Sequence, residues 1–296
     1  MTHPITRRAF VHRAALTALA TPFARWSASA GLPPSPLRIG MLPSSGTDDA
    51  AATRQLGVQL GVDEAKHAAG LFGGSIELLQ VTQSSLGDRQ LSAVLGSGSI
   101  EDCLASARAA ERAEIGFMNL SCPSDSLRGR DCQATMFHVA PSDEMYRDAL
   151  AQANAPADAK AAAWDPSLTR FGADTLNERF RSRFGRAMTA DAWLGWVAIK
   201  ILWESSLRAR STDSRMLMQY MVRDGTRFDG HKGRPLSFRV WDHQLRQPLY
   251  VVSSGTDGST RVIAEMPATG SDEESSREVL DRLGTTAARS ACRMSP

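Results

Sequence analysis

Beyond residue 30 the chain lacks any run of the roughly 18 apolar residues that a bilayer-spanning helix needs. The nearest approach, Ala192–Trp203, is short and carries Lys200, so no membrane-spanning segment is expected. Neither a GxSxG nucleophile elbow nor an HExxH motif occurs, which leaves hydrolase and metalloprotease chemistry without their usual carriers. Gly225–Lys232 has the glycines and lysine of a phosphate loop, but the lysine does not follow the second glycine directly and no Ser or Thr comes next. It reads as a loop between helix and strand. With no CxxC or HxxxH spacing, zinc has no ligand set, and His67 and His138 stand without a partner at a diagnostic interval. The expectation is a protein that is not an enzyme and uses neither metal nor cofactor.

Acidic residues are missing from residues 1–30, where Arg7 and Arg8 precede Phe10, a weakly apolar stretch follows at Ala14–Ala20, and Ala28-Ser29-Ala30 offers a small-x-small cleavage site. These are the parts of an export signal, and the paired arginines resemble the twin-arginine route. Removal near Ala30 takes away four arginines of the 34 basic residues, leaving 30 basic against 32 acidic, near −2. The +2 of the full chain is therefore no argument for a nucleic-acid partner. No cysteine lies near the cleavage site to carry a lipid; the expected address is the periplasm.

Four cysteines suit that oxidising compartment. Cys122 and Cys132 flank the polar loop 123–131 and are expected to close it as a disulfide; Cys103 and Cys292 then either pair and tie down the C-terminal tail or stay free.

What is present is an ordinary globular composition, 42% hydrophobic and 22% charged over 296 residues, with room for two lobes. Leu37–Val81 reads as strand, polar turn, helix and strand, the start of a parallel sheet. The helix, about Asp49–Ala69, places Val58, Val62, Ala65 and Ala69 on one stripe. Gly57 and Gly61 are expected to let it approach the sheet, and Gly70 to stop it. The link Thr82–Gln90 is barely long enough for a crossover, so a normal crossover helix is expected to be missing. Leu91–Leu95, Ile115–Leu120 and Thr135–Val139 continue as strands, with helices at Ile100–Ala113 and Asp143–Ala153. Asn154–Lys160 shows no strand, and Trp164–Gly185 reads as helical. Ala190–Leu207 is apolar nearly all round and should be buried, its Trp193, Trp196 and Trp203 as packing. A helix near Ser214–Arg223, strand-like runs at Pro235–Trp241, Pro248–Ser253 and Thr260–Glu265, and one short helix within Glu273–Leu283 complete the chain.

The order Ile39-Gly40-Met41-Leu42-Pro43, Val62-Asp63-Glu64-Ala65, then Gly73-Gly74-Ser75-Ile76-Glu77-Leu78 resembles type I periplasmic solute-binding proteins of ABC transporters, branched-chain-amino-acid class. Two further stretches, Phe117–Met145 and Lys232–Leu249, are similar to the branch of that family associated with alcohol oxidation dependent on pyrroloquinoline quinone (PQQ). The resemblance implies an α/β fold with a Rossmann-like parallel sheet lobe. Only residues 154–166 stand where most of the family's second lobe would lie, so a reduced second lobe is expected. The implied organisation is an export signal at 1–30, a main lobe from 36–153 and 186–224, a remnant lobe from 154–185 and 225–265, and a polar tail from 266–296. The implied role is capture of a small carboxylate-bearing solute, an amino acid or a PQQ-like molecule, with an ABC permease or quinoprotein dehydrogenase as partner. The alternative is a periplasmic accessory protein that has lost solute capture and binds such a dehydrogenase or another protein.

Solutes of such folds are met by turns at the C-terminal edge of the sheet, where helix N-termini present free N–H groups. The candidate turns carry Ser44 and Ser45, Ser97 and Ser99, and Asn119 with Ser121; each serine is equally a helix cap or turn former. For a planar polycarboxylate, Trp164, Trp241 and Arg246, with His243 beside them, are the aromatic and cationic candidates.

Overall fold

The structure, a computed structural model, describes residues 36–44, 49–72, 74–254, 260–268, 275–292 and 294. The expected export signal and Ser45 lie outside the described residues.

Five strands form a parallel sheet in the order β2-β1-β3-β4-β5: β1 (Leu37–Met41), β2 (Ile76–Gln80), β3 (Ala93–Gly96), β4 (Phe117–Asn119) and β5 (Met136–His138). Alternate side chains enter two cores, as a sheet covered on both faces requires. Leu37, Ile39, Leu95, Met118 and Phe137 face one core with α1 (Asp49–Phe72) and α5 (Ala190–Ala209). Val94, Phe117 and Met136 face the other with α2 (Ile100–Arg112). Between β2 and β3 the short link forms only a 3-10 turn, Gln83–Asp88, with Leu86 buried beneath it.

The apolar stripe of α1 is buried as its period requires, with Val58, Val62, Ala65 and Ala69 all inside. Its glycines do something other than expected. A Cβ on Gly57 would stand 1.8 Å from the carbonyl oxygen of Ala192, and one on Gly61 would stand 2.8 Å from Cβ of Ile199. Gly195 answers from α5, where a Cβ would be 2.3 Å from the Arg54 carbonyl oxygen. The small residues bring two helix backbones together rather than helix to sheet. Gly70 does not end the helix, which runs on to Phe72.

A second, three-stranded sheet has the order β10-β9-β6, built from β6 (Lys160–Ala162), β9 (Leu249–Ser254) and β10 (Thr260–Met266). The strand β6 was not expected from its sequence. It owes its place to antiparallel pairing with Val252–Tyr250 of β9, nearly ninety residues on. The helix expected over Trp164–Gly185 shrinks to α4 (Ala173–Phe184). Ahead of it the Asp165 carboxylate accepts a hydrogen bond from Ser167 N at 2.8 Å, an Asx turn reinforced by Pro166. Pro235–Trp241 is not one strand but the first arm of a hairpin. Its arms are β7 (Ser237–Phe238) and β8 (Leu245–Arg246); Asp242 caps the turn by accepting from Gln244 N at 3.0 Å, and His243 takes φ 50°. The helices α3 (Asp143–Gln152), α6 (Ser214–Val222) and α7 (Ser276–Leu280) lie where the sequence puts them.

The disulfide joins Cys132 to Cys292, not Cys132 to Cys122, and leaves Cys103 and Cys122 as buried thiols. Loop polarity alone made the nearer pair look favourable; the tail returns from 160 residues away to take Cys132.

Candidate functional site

The strand order sets the site. From β1 the chain goes to β2 on one side and then crosses back to β3 on the other, so the direction of winding reverses between β1 and β3. In open α/β sheets a crevice forms outside the carboxyl ends of the strands at that point. Two adjoining clefts occupy it here. The first, of about 260 Å³, is lined by Leu42, Ser44, Gln55, Gln80, Ser97 and Leu120 among others. The second, of about 510 Å³, shares Ser44 and Ser97 and adds Thr82, Gln83 and Asp102.

The two clefts differ in charge. At the second, Ser99 and Asp102 form a capping box: Asp102 N donates to Ser99 Oγ at 3.2 Å, and Ser99 N to Asp102 Oδ2 at 3.1 Å. This gives the Asp102 N–H in the first turn of α2 a partner from its own cap and puts a carboxylate where a solute's carboxylate would have to sit. Ser99 is thus a cap and not a ligand group. The first cleft carries no such charge. Ala51 and Ala52 of the first turn of α1 line it, and Arg54 contributes to its wall with its guanidinium ion-paired to Asp191 at the start of α5.

Among the remaining candidates, Ser121 accepts a hydrogen bond from Gly98 N at 2.9 Å, tying the turn after β3 to the turn after β4. Asn119 lies fully buried below them. Its Oδ1 accepts from Cys122 N at 2.9 Å and Ser121 N at 3.2 Å, while Nδ2 donates to the Cys122 carbonyl at 2.8 Å and faces His138 Nδ1 at 3.1 Å. With both ends of its amide engaged, Asn119 shapes the turn and does not reach the clefts.

The aromatic and cationic candidates are not brought to the serines. Trp164 is buried, stacks on Trp193 with ring centroids 5.9 Å apart, and donates its indole N–H to Asn177 at 2.9 Å. Arg246 is buried against Asp281 at 2.8 Å and donates to the Phe238 carbonyl at 2.7 Å. Trp241 donates to the Thr285 carbonyl at 3.3 Å, with the guanidinium carbons of Arg239 and Arg246 5.3 and 5.0 Å from its ring centroid. His243 stacks on Phe137 at 4.4 Å, and burial pushes its imidazole down to about 4. Of the candidates for a foreign carboxylate, Arg246 and Trp241 hold the chain's own tail instead.

The same holds across the stretch 232–249. Buried Arg128 donates to Gln244 Oε1 at 2.8 Å and to the carbonyls of Cys122, Ser124 and Ala140 at 2.7 to 2.9 Å. Lys232 is wholly buried, donating to Gln247 Oε1 at 2.9 Å and the Pro248 carbonyl at 3.0 Å, with Nζ 3.8 Å from the Trp193 ring centroid. Burial holds its amine well below the ordinary lysine value, against the opposing charge of Glu265. These are joints between the segments that follow β4 and β5, the β7–β8 hairpin and the loop before it.

Gln55 and Gln80 were missed by sequence reasoning. Gln80 ends a strand adjacent to β1, so the strand order would have pointed to it; Gln55 carries no signal beyond its position one turn into α1.

No family model matches the chain, and no curated protein does. Solved structures do. A branched chain amino acid ABC transporter periplasmic ligand-binding protein from Burkholderia xenovorans LB400 superposes with TM-score 0.70 at 11% identity, covering 87% of this chain and 99% of that one. An ABC-type branched-chain amino acid transporter from Rhodopseudomonas palustris CGA009 gives 0.64 at 13%, covering 84% and 98%. The branched-chain amino acid transporter substrate binding protein LivJ from Streptococcus pneumoniae, in complex with isoleucine, gives 0.64 at 12%, covering 78% and 99%. At these identities the likeness establishes the fold, which is that of type I periplasmic binding proteins.

Proposed function

We propose that the chain is a periplasmic solute-binding protein of an ABC-type uptake system, taking a small carboxylate-bearing solute of amino-acid size in the first cleft. The carrying observation is the position and lining of that cleft: hydroxyls of Ser44 and Ser97 and amides of Gln55 and Gln80 at the β1/β3 switch point, beside the first turn of α1. A volume of about 260 Å³ lies below the usual range for drug-sized ligands. Neither arginine nor tryptophan of the tail joint reaches it, which disfavours PQQ as the solute. Binding without chemistry fits a site whose described groups include no nucleophile and base at hydrogen-bond distance. Export through the twin-arginine route belongs to this reading, as does the division into a main lobe and a remnant lobe.

One observation favours the second reading, a periplasmic accessory protein for a quinoprotein dehydrogenase or another protein. No residue of 154–185 or 225–265 lines either cleft, so within the described residues nothing of the expected remnant lobe closes over a solute. A thermal-shift titration of the protein lacking residues 1–30 with the twenty amino acids and with PQQ separates the two. A saturable rise in melting temperature with an amino acid supports capture. Silence across the panel, with binding to a dehydrogenase, supports the accessory role.

A further inference from the structure

Two cysteines left out of the disulfide lie on either side of Asn119. Cys103 is in the first turn of α2 and Cys122 follows β4 by three residues; both are buried. One oxygen serves both. Asn119 Oδ1 is 3.8 Å from Cys103 Sγ and accepts from Cys122 N at 2.9 Å. Both belong to the same buried core cluster, and each is the first influence on the other's titration. The segments they belong to are already joined by the Gly98 N to Ser121 Oγ bond, so a covalent link between them asks for little rearrangement. The chain also holds one bridge already, Cys132–Cys292, which fits an oxidising environment.

We propose that Cys103 and Cys122 are a redox-active dithiol which a disulfide oxidant, glutathione disulfide or an exchanging protein disulfide, closes into a second intrachain bridge behind the cleft wall. On α2, Asp102 and Ser106 line the second cleft while Cys103 between them points to the core. The bridge would fasten the Ser97–Ser99 turn to the Ser121 turn by a covalent bond.

The chemistry has an order. Cys103 keeps its proton, held by the neighbouring Cys122 and by burial. Cys122 is pushed down to about 6 by the Cys103 S–H, with the Ser124 N–H and the Arg128 guanidinium helping against burial. The Cys122 thiolate attacks one sulfur of the oxidant, forming a mixed disulfide and releasing one thiolate, which takes up a proton. Cys103 then gives up its proton and attacks Cys122 Sγ, and the second donor thiol leaves. Two electrons pass from the cysteine pair to the donor, whose one disulfide becomes two thiols. Because both thiols are buried, the reaction proceeds through local opening of the segment after β4.

The test uses the full chain, equilibrated in glutathione buffers from fully reduced to rich in glutathione disulfide, then acid-quenched, unfolded, alkylated and mapped by mass spectrometry. Expected is the joint loss of alkylation at Cys103 and Cys122 and the appearance of one peptide pair linking them, with Cys132–Cys292 intact throughout. Alkylation of both thiols at every ratio, or linkage of Cys122 to Cys132, would overturn the proposal. Two variants check the order. Cys103→Ser is expected to accumulate glutathione on Cys122, and Cys122→Ser to leave Cys103 free. Equal capture by both, or capture by Cys103 alone, contradicts it. Should either variant fail to fold, the map of the unsubstituted chain decides alone.

Discussion

Nε of Arg246 lies 2.8 Å from Oδ1 of Asp281, a contact between the β7–β8 hairpin and a tail thirty-five residues further on. The same oxygen accepts from Arg239 Nε at 2.9 Å, while Arg239 Nη2 reaches the Leu283 carbonyl. One carboxylate thus answers two buried guanidiniums. Removing it by Asp281→Ala leaves Arg246 without its ion partner and Arg239 with only Asp242 at 3.7 Å, and breaking a buried pair costs about 3–5 kcal/mol. Asp281 is a quarter exposed, so the lower end is expected. Urea unfolding followed by circular dichroism measures it; a loss below about 0.5 kcal/mol, the range of an ordinary surface substitution, would show that the tail joint is dispensable.

The disulfide closes the tail over the same region. A loop of 160 residues gives the chain-entropy model a stabilisation of roughly 5 kcal/mol, and measured values tend to fall short of that model. Cys292→Ser is expected to lower stability by several kcal/mol. Limited proteolysis should cut between residues 275 and 292 before it cuts the parallel sheet. Equal protease resistance of the two proteins would contradict this.

Glycines of α1 and α5 divide into two kinds. Gly57→Ala and Gly195→Ala drive a Cβ into a backbone carbonyl and should each destabilise by at least about 2 kcal/mol, the middle of the range for overpacking. Gly70→Ala meets no atom within 4 Å and lies within the helix, so it should stabilise by about 0.5–1 kcal/mol through helix propensity. Thermal melts of the three variants check the signs, and a stabilising Gly57→Ala would refute the close helix contact.

Acid should weaken the fold through two buried imidazoles. Burial pushes His243 from 6.5 to about 4, and burial with the Arg128 charge pushes His138 well below 6.5. Both folded values are depressed below the unfolded one. Their contribution is therefore complete above pH 6.5 and is lost as pH falls from 6.5 toward 4, where the unfolded chain binds the protons. For His243 the loss reaches at most about 3 kcal/mol. Asp242, raised by burial, acts with the opposite sign in the carboxylate range. His243→Asn, which keeps a residue suited to φ 50°, should flatten stability between pH 6.5 and 4. An unchanged slope would contradict the assignment.

Much of the main sheet was readable because its signals are local. The stripe Val58, Val62, Ala65, Ala69, the short runs of β1 to β5 and the missing crossover helix each lie within a few residues of one another. The β1/β3 crevice follows from connectivity, and Ser44 and Ser97 line a cleft there. What failed was long-range. The strand β6 exists through pairing with β9, Cys132 finds Cys292 across 160 residues, and Arg246 is buried because Asp281 comes back to meet it. A cation and an aromatic ring close together in sequence look the same whether they await a ligand or their own tail.

Ser97 lines the cleft proposed to take the solute. Trp164, Trp193, Trp196, Trp203 and Trp241 all stand outside its lining, so tryptophan fluorescence is a poor reporter and heat is the better one. Isothermal titration of the protein lacking residues 1–30 with amino acids, repeated with Ser97→Trp to fill the cleft, tests it most directly. Saturable binding of at least one amino acid is expected, with its loss in the Ser97→Trp protein at unchanged circular dichroism. No binding heat with any amino acid, or equal binding by the filled variant, would contradict it.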